Sequence, residues 1–330
     1  MTRIVLSLAI FALFLMLTSC STVEAFVPTT GPSLPTILVV TPGVTETVFV
    51  TPEYSETPKQ TIYPETEVVT VPPTSPLITE IALSTPTPDT RPLPRAWSGW
   101  PIVPMVSETA REIYRAGIEN GNNPYAVSVI GDCQSEPDVF MGIYETGRNP
   151  LNAEEAQLLE TVNRFAGSFS RKSLGVQDGM SAPTALSPLW ADKEFCESNE
   201  SPLTCELRVR RPSIVFVNLG TNWKAGASAE RYGEYLRQIV GEIIEYGAVP
   251  ILSTKADNVE GDHSINRVTA EVAYEYDIPL WNFWLAADSL PNHGLDANRE
   301  NIYLTPLGWD RRNYTALMAL DTVWRVLDAE

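Results

Sequence analysis

The chain has 330 residues, 44% of them hydrophobic, with a formal net charge of −18. That is enough apolar material for a real core and length for one large domain or two modest ones. So acidic a chain repels nucleic acid and anionic headgroups, which excludes both as partners.

The first element in chain order is an address. Arg3 precedes an apolar run from Ile4 to Leu17, of signal-peptide length and too short for a spanning helix. It ends in Leu17-Thr18-Ser19-Cys20, which resembles a bacterial lipobox. On that reading Cys20 is lipidated, becomes the new N-terminus, and holds the protein to a membrane outside the cytoplasm by this anchor alone. An ordinary signal peptide with a chance cysteine is the plainer alternative.

Residues 21–95 form a linker. They hold 14 of the chain's 27 prolines and repeated Thr-Pro units, which favour extended, polyproline-like chain and cannot bury a core. At ~3 Å per residue such a stalk reaches on the order of 100–200 Å.

A folded domain is expected over 96–330. The pattern predicts a helix over 107–120 opened by Ser107, then a buried strand over 125–132. A helix over 153–169 comes next, and a second apolar strand over 213–221. Residues 230–247 form the clearest helix, with apolar residues at 3–4 spacing and Gly247 as its stop. A third strand covers 248–257, a helix 265–276, a short strand 278–283 and a terminal helix 305–330, capped by Thr305 with Pro306 at its first position. Apolar strands without polar alternation, each followed by a helix, predict a parallel sheet covered on both faces. Ligands bind such sheets beyond the carboxyl ends of the strands.

The four cysteines separate by role. Cys20 belongs to the lipobox. Cys196 and Cys205 lie nine apart in a loop-like stretch, and an exported protein permits a disulfide there. Cys133 is left over, either buried and inert or chemically used. With two histidines, His263 and His293, and no CxxC pair, neither a metal nor another cofactor is expected.

Chemistry-bearing residues gather after the strands: Gly131-Asp132-Cys133, Gly220-Thr221-Asn222, Lys255 with Asp257, and Trp281 to Trp284. A pre-helix stretch, Glu300-Asn301-Ile302-Tyr303-Leu304-Thr305, precedes the terminal helix. In order and spacing these resemble the SGNH (GDSL-type) hydrolases. That resemblance covers roughly 97–330 and implies a flavodoxin-like three-layer α/β/α sandwich. It places Cys133 where the family has its nucleophilic serine. It also implies an oxyanion hole from the Gly179 backbone N–H (Gly175 being the other choice) and the Asn222 side chain. The implied substrates are esters, either small molecules, lipids or O-acetylated polysaccharide.

The departures are as informative. Cys133 replaces serine, Glu300 replaces the family's aspartate, and Tyr303 stands where the base histidine belongs. A phenol titrating at ~10 is a poor base at neutral pH. A thiol needs less help than a hydroxyl, and a helix N-terminus would lower its pKa. His293 is the candidate substitute base, if its loop folds back with Asp296 or Glu300 orienting it. His263 reads as a surface or capping residue. Lys255 and Asp257 read as a buried ion pair at the third strand's exit, and Asp132 as a turn-fixing acceptor. Trp223, Trp281 and Trp284 read as core or rim residues, with stacking on a sugar as the lesser option. The second class of function is therefore a domain that keeps the cleft, has lost catalysis, and binds a glycan or envelope partner.

Overall fold

Strand β2 (Pro212–Asn218) and strand β3 (Val249–Ser253) are buried at every residue. That is why both read as continuous apolar runs: helices cover each face, so neither face selects polar residues. They pair in parallel, with β1 (Asn123–Gly131) outside β2 and the two-residue β4 (Leu280–Trp281) outside β3, in the order β1-β2-β3-β4. In the computed structural model the described residues are 89–147, 151–152, 155–224, 226–300 and 302–329. The readings of Cys20 and of the linker up to residue 88 lie outside them.

Nine α-helices complete the described fold: α1 (Glu108–Glu119), α2 (Gly142–Glu145), α3 (Leu159–Arg164), α4 (Ala182–Ala185), α5 (Pro202–Arg210), α6 (Ala229–Glu245), α7 (Ser264–Tyr276), α8 (Phe283–Ala287) and α9 (Pro306–Asp328). Strand alternation sorts the core into two layers. Ile214, Phe216, Val249, Ile251 and Trp281 meet α1, α3, α8 and α9 on one face. Val215, Val217, Leu252 and Leu280 meet α4, α5, α6 and α7 on the other. The protein is an α/β sandwich of three layers on a parallel sheet.

One bridge explains the topology. Gly131 pairs in parallel with Val176 on the free side of β1, through Gly131 N–H to the Gly175 carbonyl (3.0 Å) and Gln177 N–H to the Gly131 carbonyl (3.2 Å). This is a second strand cut to one residue. Counting it gives the flavodoxin-like order 2-1-3-4-5, whose switch point falls between β1 and β2.

Several boundaries differ from the sequence expectation. The 153–169 helix is a 3-10 turn (Ala156–Leu158) running into the short α3. The Glu145 carboxylate accepts from the N–H groups of Gly167 (2.6 Å) and Ser170 (2.8 Å), turning that segment into a loop. The last strand stops after Trp281 because Asn282 turns inward. Its amide donates to the carbonyls of Trp97 (2.9 Å) and Trp100 (3.0 Å), and its oxygen accepts from Leu285 N–H to cap α8. The loop expected over 196–205 is irregular up to Ser201, and its last four residues enter α5, which has a Ser201/Thr204 capping box and Pro202 at its start. Cys205 lies on that helix and forms the disulfide with Cys196. The folded unit also begins before residue 96: Arg91 donates to Asp277 (2.7 Å) and to the Tyr274 carbonyl (2.9 Å) at the end of α7.

Candidate active site

The site is built at the carboxyl ends of β1 and β2, on the switch point. β1 ends at Gly131, where a Cβ would stand 2.3 Å from the Ser135 hydroxyl oxygen, so only glycine allows the turn to close. Asp132 then caps the 3-10 turn Cys133–Ser135 by accepting from Gln134 N–H (2.9 Å). Its second oxygen accepts from the Asn222 amide (3.2 Å), which also donates to the Met180 carbonyl (3.1 Å). Next to Met180, Gly179 occupies a turn closed by Met180 N–H to Gln177 carbonyl (3.1 Å), at φ +74°. The Asp178 carboxylate of the same turn is a charged neighbour of the half-buried Cys133 thiol. So segments 132–133, 178–180 and 222 come together.

The backbone amides separate the two candidate glycines. Gly175 N–H is taken by the Ser173 hydroxyl (3.1 Å), and its carbonyl by the bridge with Gly131. Gly179 N–H donates to no group among the described residues and sits at the surface. The Asn222 amide, in contrast, already has two acceptors, and must release one to serve a ligand.

The electrostatics run against an activated thiol. Burial pushes Cys133 up to about 11, reinforced by the charges of Asp132 and Asp178. The helix-dipole expectation fails because Cys133 opens a 3-10 turn of only three residues, too short to sum a dipole. Burial likewise raises Asp132 to about 6, against the Gln134 N–H and the Arg312 charge, which lower it. Arg312, from α9, is only 6% exposed and pairs with no carboxylate among the described residues. It donates to the Gln134 carbonyl and lies over the Phe140 ring at 4.5 Å. Burial pushes it down to about 10, opposed by Asp132 and Cys133. Asp132 and Arg312 line a polar cavity of about 30 Å³, room for one or two waters. The same cavity touches Lys255 and Asp257, which form the expected buried ion pair (2.5 Å), with Glu260 on Lys255 (2.7 Å) and the Thr221 hydroxyl on Asp257 (2.8 Å).

His293 is not joined to Cys133. Its ring packs on Trp284 (centroids 4.9 Å) and its Nδ1 faces Asp288 at 3.9 Å, so its carboxylate neighbour is Asp288 in place of the expected Asp296 or Glu300. Its ionisable neighbours are Asp288 and His263; those of Cys133 are Asp132 and Asp178. From the stretch before the terminal helix it is the Ile302 carbonyl that reaches the turn of Cys133, accepting from the Gln134 amide (2.9 Å). Tyr303 is stacked under Arg299 at 3.7 Å. His263 is also corrected: it makes no side-chain cap, and its ring packs against Trp97 (6.1 Å) and Trp284 (5.6 Å). Trp281 is core, and Trp223 packs on Tyr232.

Two residues of the site escape a reading of the sequence. Asp178 gives little signal beyond its place in the Gln177-Asp178-Gly179 turn. Arg312 is legible in principle, because it falls four residues before the buried Ala316 and four after Gly308, on the inward face of α9. For metals, Cys196, Glu200 and Cys205 gather among the described residues, but both sulfurs are spent in the disulfide.

No family model matches the chain, and no curated protein matches it in sequence. Solved structures do resemble it. The lipase/acylhydrolase from Enterococcus faecalis shares 15% identity over 61% of this chain and 96% of its own, with a TM-score of 0.38. A GDSL-like lipase from Bacteroides thetaiotaomicron shares 13% over 64% and 98%, with 0.39. The acetyl xylan esterase AlAXEase shares 14% over 58% and 97%, also with 0.39. Likenesses of this extent carry no residue assignment, and the α/β layering rests on the sheet itself.

Proposed function

We propose that the protein is an ester hydrolase of the SGNH type in which Cys133 is the nucleophile and Gly179 N–H, joined by Asn222, receives the oxyanion. The observation that carries this reading is the meeting of the Cys133 thiol, the Gly179 turn and the Asn222 amide at the switch point between β1 and β2. The sulfur attacks the ester carbonyl carbon, the C–O bond breaks, and the alcohol leaves with a proton from water. Water then hydrolyses the thioester, releasing the acid and restoring the thiol. No imidazole serves the step, so the reaction depends on the thiolate fraction. For a thiol near 11 that is about one in 10,000 at pH 7. Turnover is therefore slow at neutral pH and climbs about tenfold per pH unit.

The proposed setting is outside the cytoplasm, tethered through Cys20, with an ester-bearing small molecule or polysaccharide as substrate. The Leu17-Thr18-Ser19-Cys20 ending and the Cys196–Cys205 disulfide support it.

The raised thiol and the separation of His293 favour a second reading, a hydrolase fold that binds its ligand without turning it over. A panel of acetyl and longer-chain esters, assayed from pH 7 to 10 with the native chain and Cys133→Ser, separates the two. Turnover that rises with pH and vanishes in Cys133→Ser supports the hydrolase. Absence of turnover at every pH leaves the binding reading.

A further inference from the structure

We infer that the open groove beside the Gly179 turn is a glycan-binding site in which Trp190 is the stacking platform for a neutral sugar chain. The groove, of about 680 Å³, lies between the 172–178 segment and the 189–195 loop. Its continuity with the candidate active site rests on two contacts. Asp178 lines it and is also a charged neighbour of the Cys133 thiol, and a Cβ on Gly179 would stand 3.9 Å from the Trp190 ring. The inference takes its reacting group from the proposed function, but the binding itself does not depend on turnover.

Trp190 is half-buried, yet among the described residues its ring meets no other aromatic ring and no guanidinium, and its indole N–H has no acceptor. Trp97, Trp223, Trp281, Trp284, Trp309 and Trp324 all have ring or cation partners. An indole with a free face and a free donor suits a ligand that is apolar on one side and hydroxylated at its edge, as a pyranose ring is. Beside it, Leu189 is 91% exposed and Phe195 53%. These apolar groups cannot fold away. The loop is fixed by the Cys196–Cys205 disulfide, by Lys193 Nζ to the Pro188 carbonyl (2.6 Å) and by Arg208 to the Phe195 carbonyl (3.1 Å). A rigid, exposed apolar rim on a polar-lined groove marks a binding surface.

Charge and openness choose among ligands. Lys172 is paired with Glu136 (2.8 Å), which leaves Arg210 against Asp178 and Asp192, so the groove disfavours an anionic chain and suits a neutral one. Half of its lining residues are polar, which would leave a long acyl chain facing unsatisfied groups, whereas sugar hydroxyls can bond to them. A chain stacked on Trp190 presents an O-acyl substituent toward Cys133.

The test is affinity electrophoresis of the full chain in gels containing acetylated xylan, glucomannan or hydroxyethylcellulose, followed by titration calorimetry. At least one neutral glycan should retard the protein. Trp190→Ala should weaken binding tenfold or more with a thermal midpoint shifted by less than about 2 °C, and Trp190→Phe should restore part of it. Leu189→Ser, at a side chain already in water, leaves the fold intact and should also weaken binding. Cys133→Ala should bind as the native chain does, so that glycan binding by a native chain that turns over no ester counts against the hydrolase reading alone. The inference is overturned if no neutral glycan retards the chain, or if Trp190→Ala binds unchanged. It is equally overturned if the rim instead mediates binding to phosphatidylcholine vesicles or self-association lost in Leu189→Ser.

Discussion

Asp132 and Asn222 join the ends of β1 and β2 through one hydrogen bond, Asn222 Nδ2 to Asp132 Oδ2 at 3.2 Å, across the switch point of the sheet. A carboxylate buried there is held at an energetic cost, since burial raises its pKa to about 6. Between the unfolded aspartate value and 6 the folded state binds more protons than the unfolded one. Stability is therefore fully present below the unfolded value and is lost as pH rises through 6. Asp132→Asn should abolish that slope. Denaturant unfolding from pH 4 to 8 should show the native chain losing on the order of 2 kcal/mol from this group, and the variant none of it. Parallel curves for the two proteins would contradict the assignment.

The thiol offers an independent readout. Alkylation of Cys133 by iodoacetamide should be far slower at pH 7 than for a free thiol and should rise about tenfold per pH unit toward 11. Asp178→Asn removes a neighbouring charge and should speed alkylation several-fold at pH 8. A plateau below pH 9 would show that the thiol is not held up.

Glu206 is a fully buried carboxylate in α5 that accepts from the Ser128 hydroxyl (2.6 Å) and Leu174 N–H (2.8 Å) and pairs with Arg171 (2.7 Å). It ties α5 to β1 and to the segment leading into the site. Glu206→Ala leaves Arg171 without its counter-charge and should cost about 3–5 kcal/mol in urea unfolding. A loss below about 1 kcal/mol would show that the pair breaks even.

His293 gives a pH dependence of the opposite sense to Asp132. Burial lowers its pKa, opposed by a hydrogen bond with the Trp284 backbone and by Asp288, with His263 lowering it further. The unfolded chain then takes up the proton first. Stability is present above the unfolded histidine value and is lost as pH falls below 6.5 toward the folded value. His293→Phe, which keeps a ring on Trp284, should flatten the fall of the melting temperature below pH 6.5 by calorimetry.

The fold is legible in the sequence because its strongest signals are local. The spacing of Tyr232, Leu236, Ile239, Val240 and Ile243 is helical whatever surrounds it, and 213–217 can only be a strand covered on both sides. The order of Gly131-Asp132-Cys133 and Gly220-Thr221-Asn222 locates most of the candidate site. The hidden part depends on long-range contacts. Asp178 becomes relevant only because Val176 pairs with Gly131 and carries the next turn to the thiol. His293 lies ten residues from Tyr303 in sequence, yet its ring is claimed by Trp284, a partner that no spacing reveals. The direction of the Cys133 shift is equally invisible in sequence, because it depends on burial and two carboxylates more than on the turn that Cys133 opens.

The residues after Asp89 run the length of the β4 edge. Arg91 is fastened at Asp277, ahead of the strand, and Trp97 and Trp100 are fastened at Asn282, behind it. A mechanical pull arriving from upstream therefore loads a charged clasp and then a row of bonds on the far margin of the sheet, away from Asp132 at the end of β1. That edge can peel like a zip while the contacts around Asp132 and Asn222 keep their alignment.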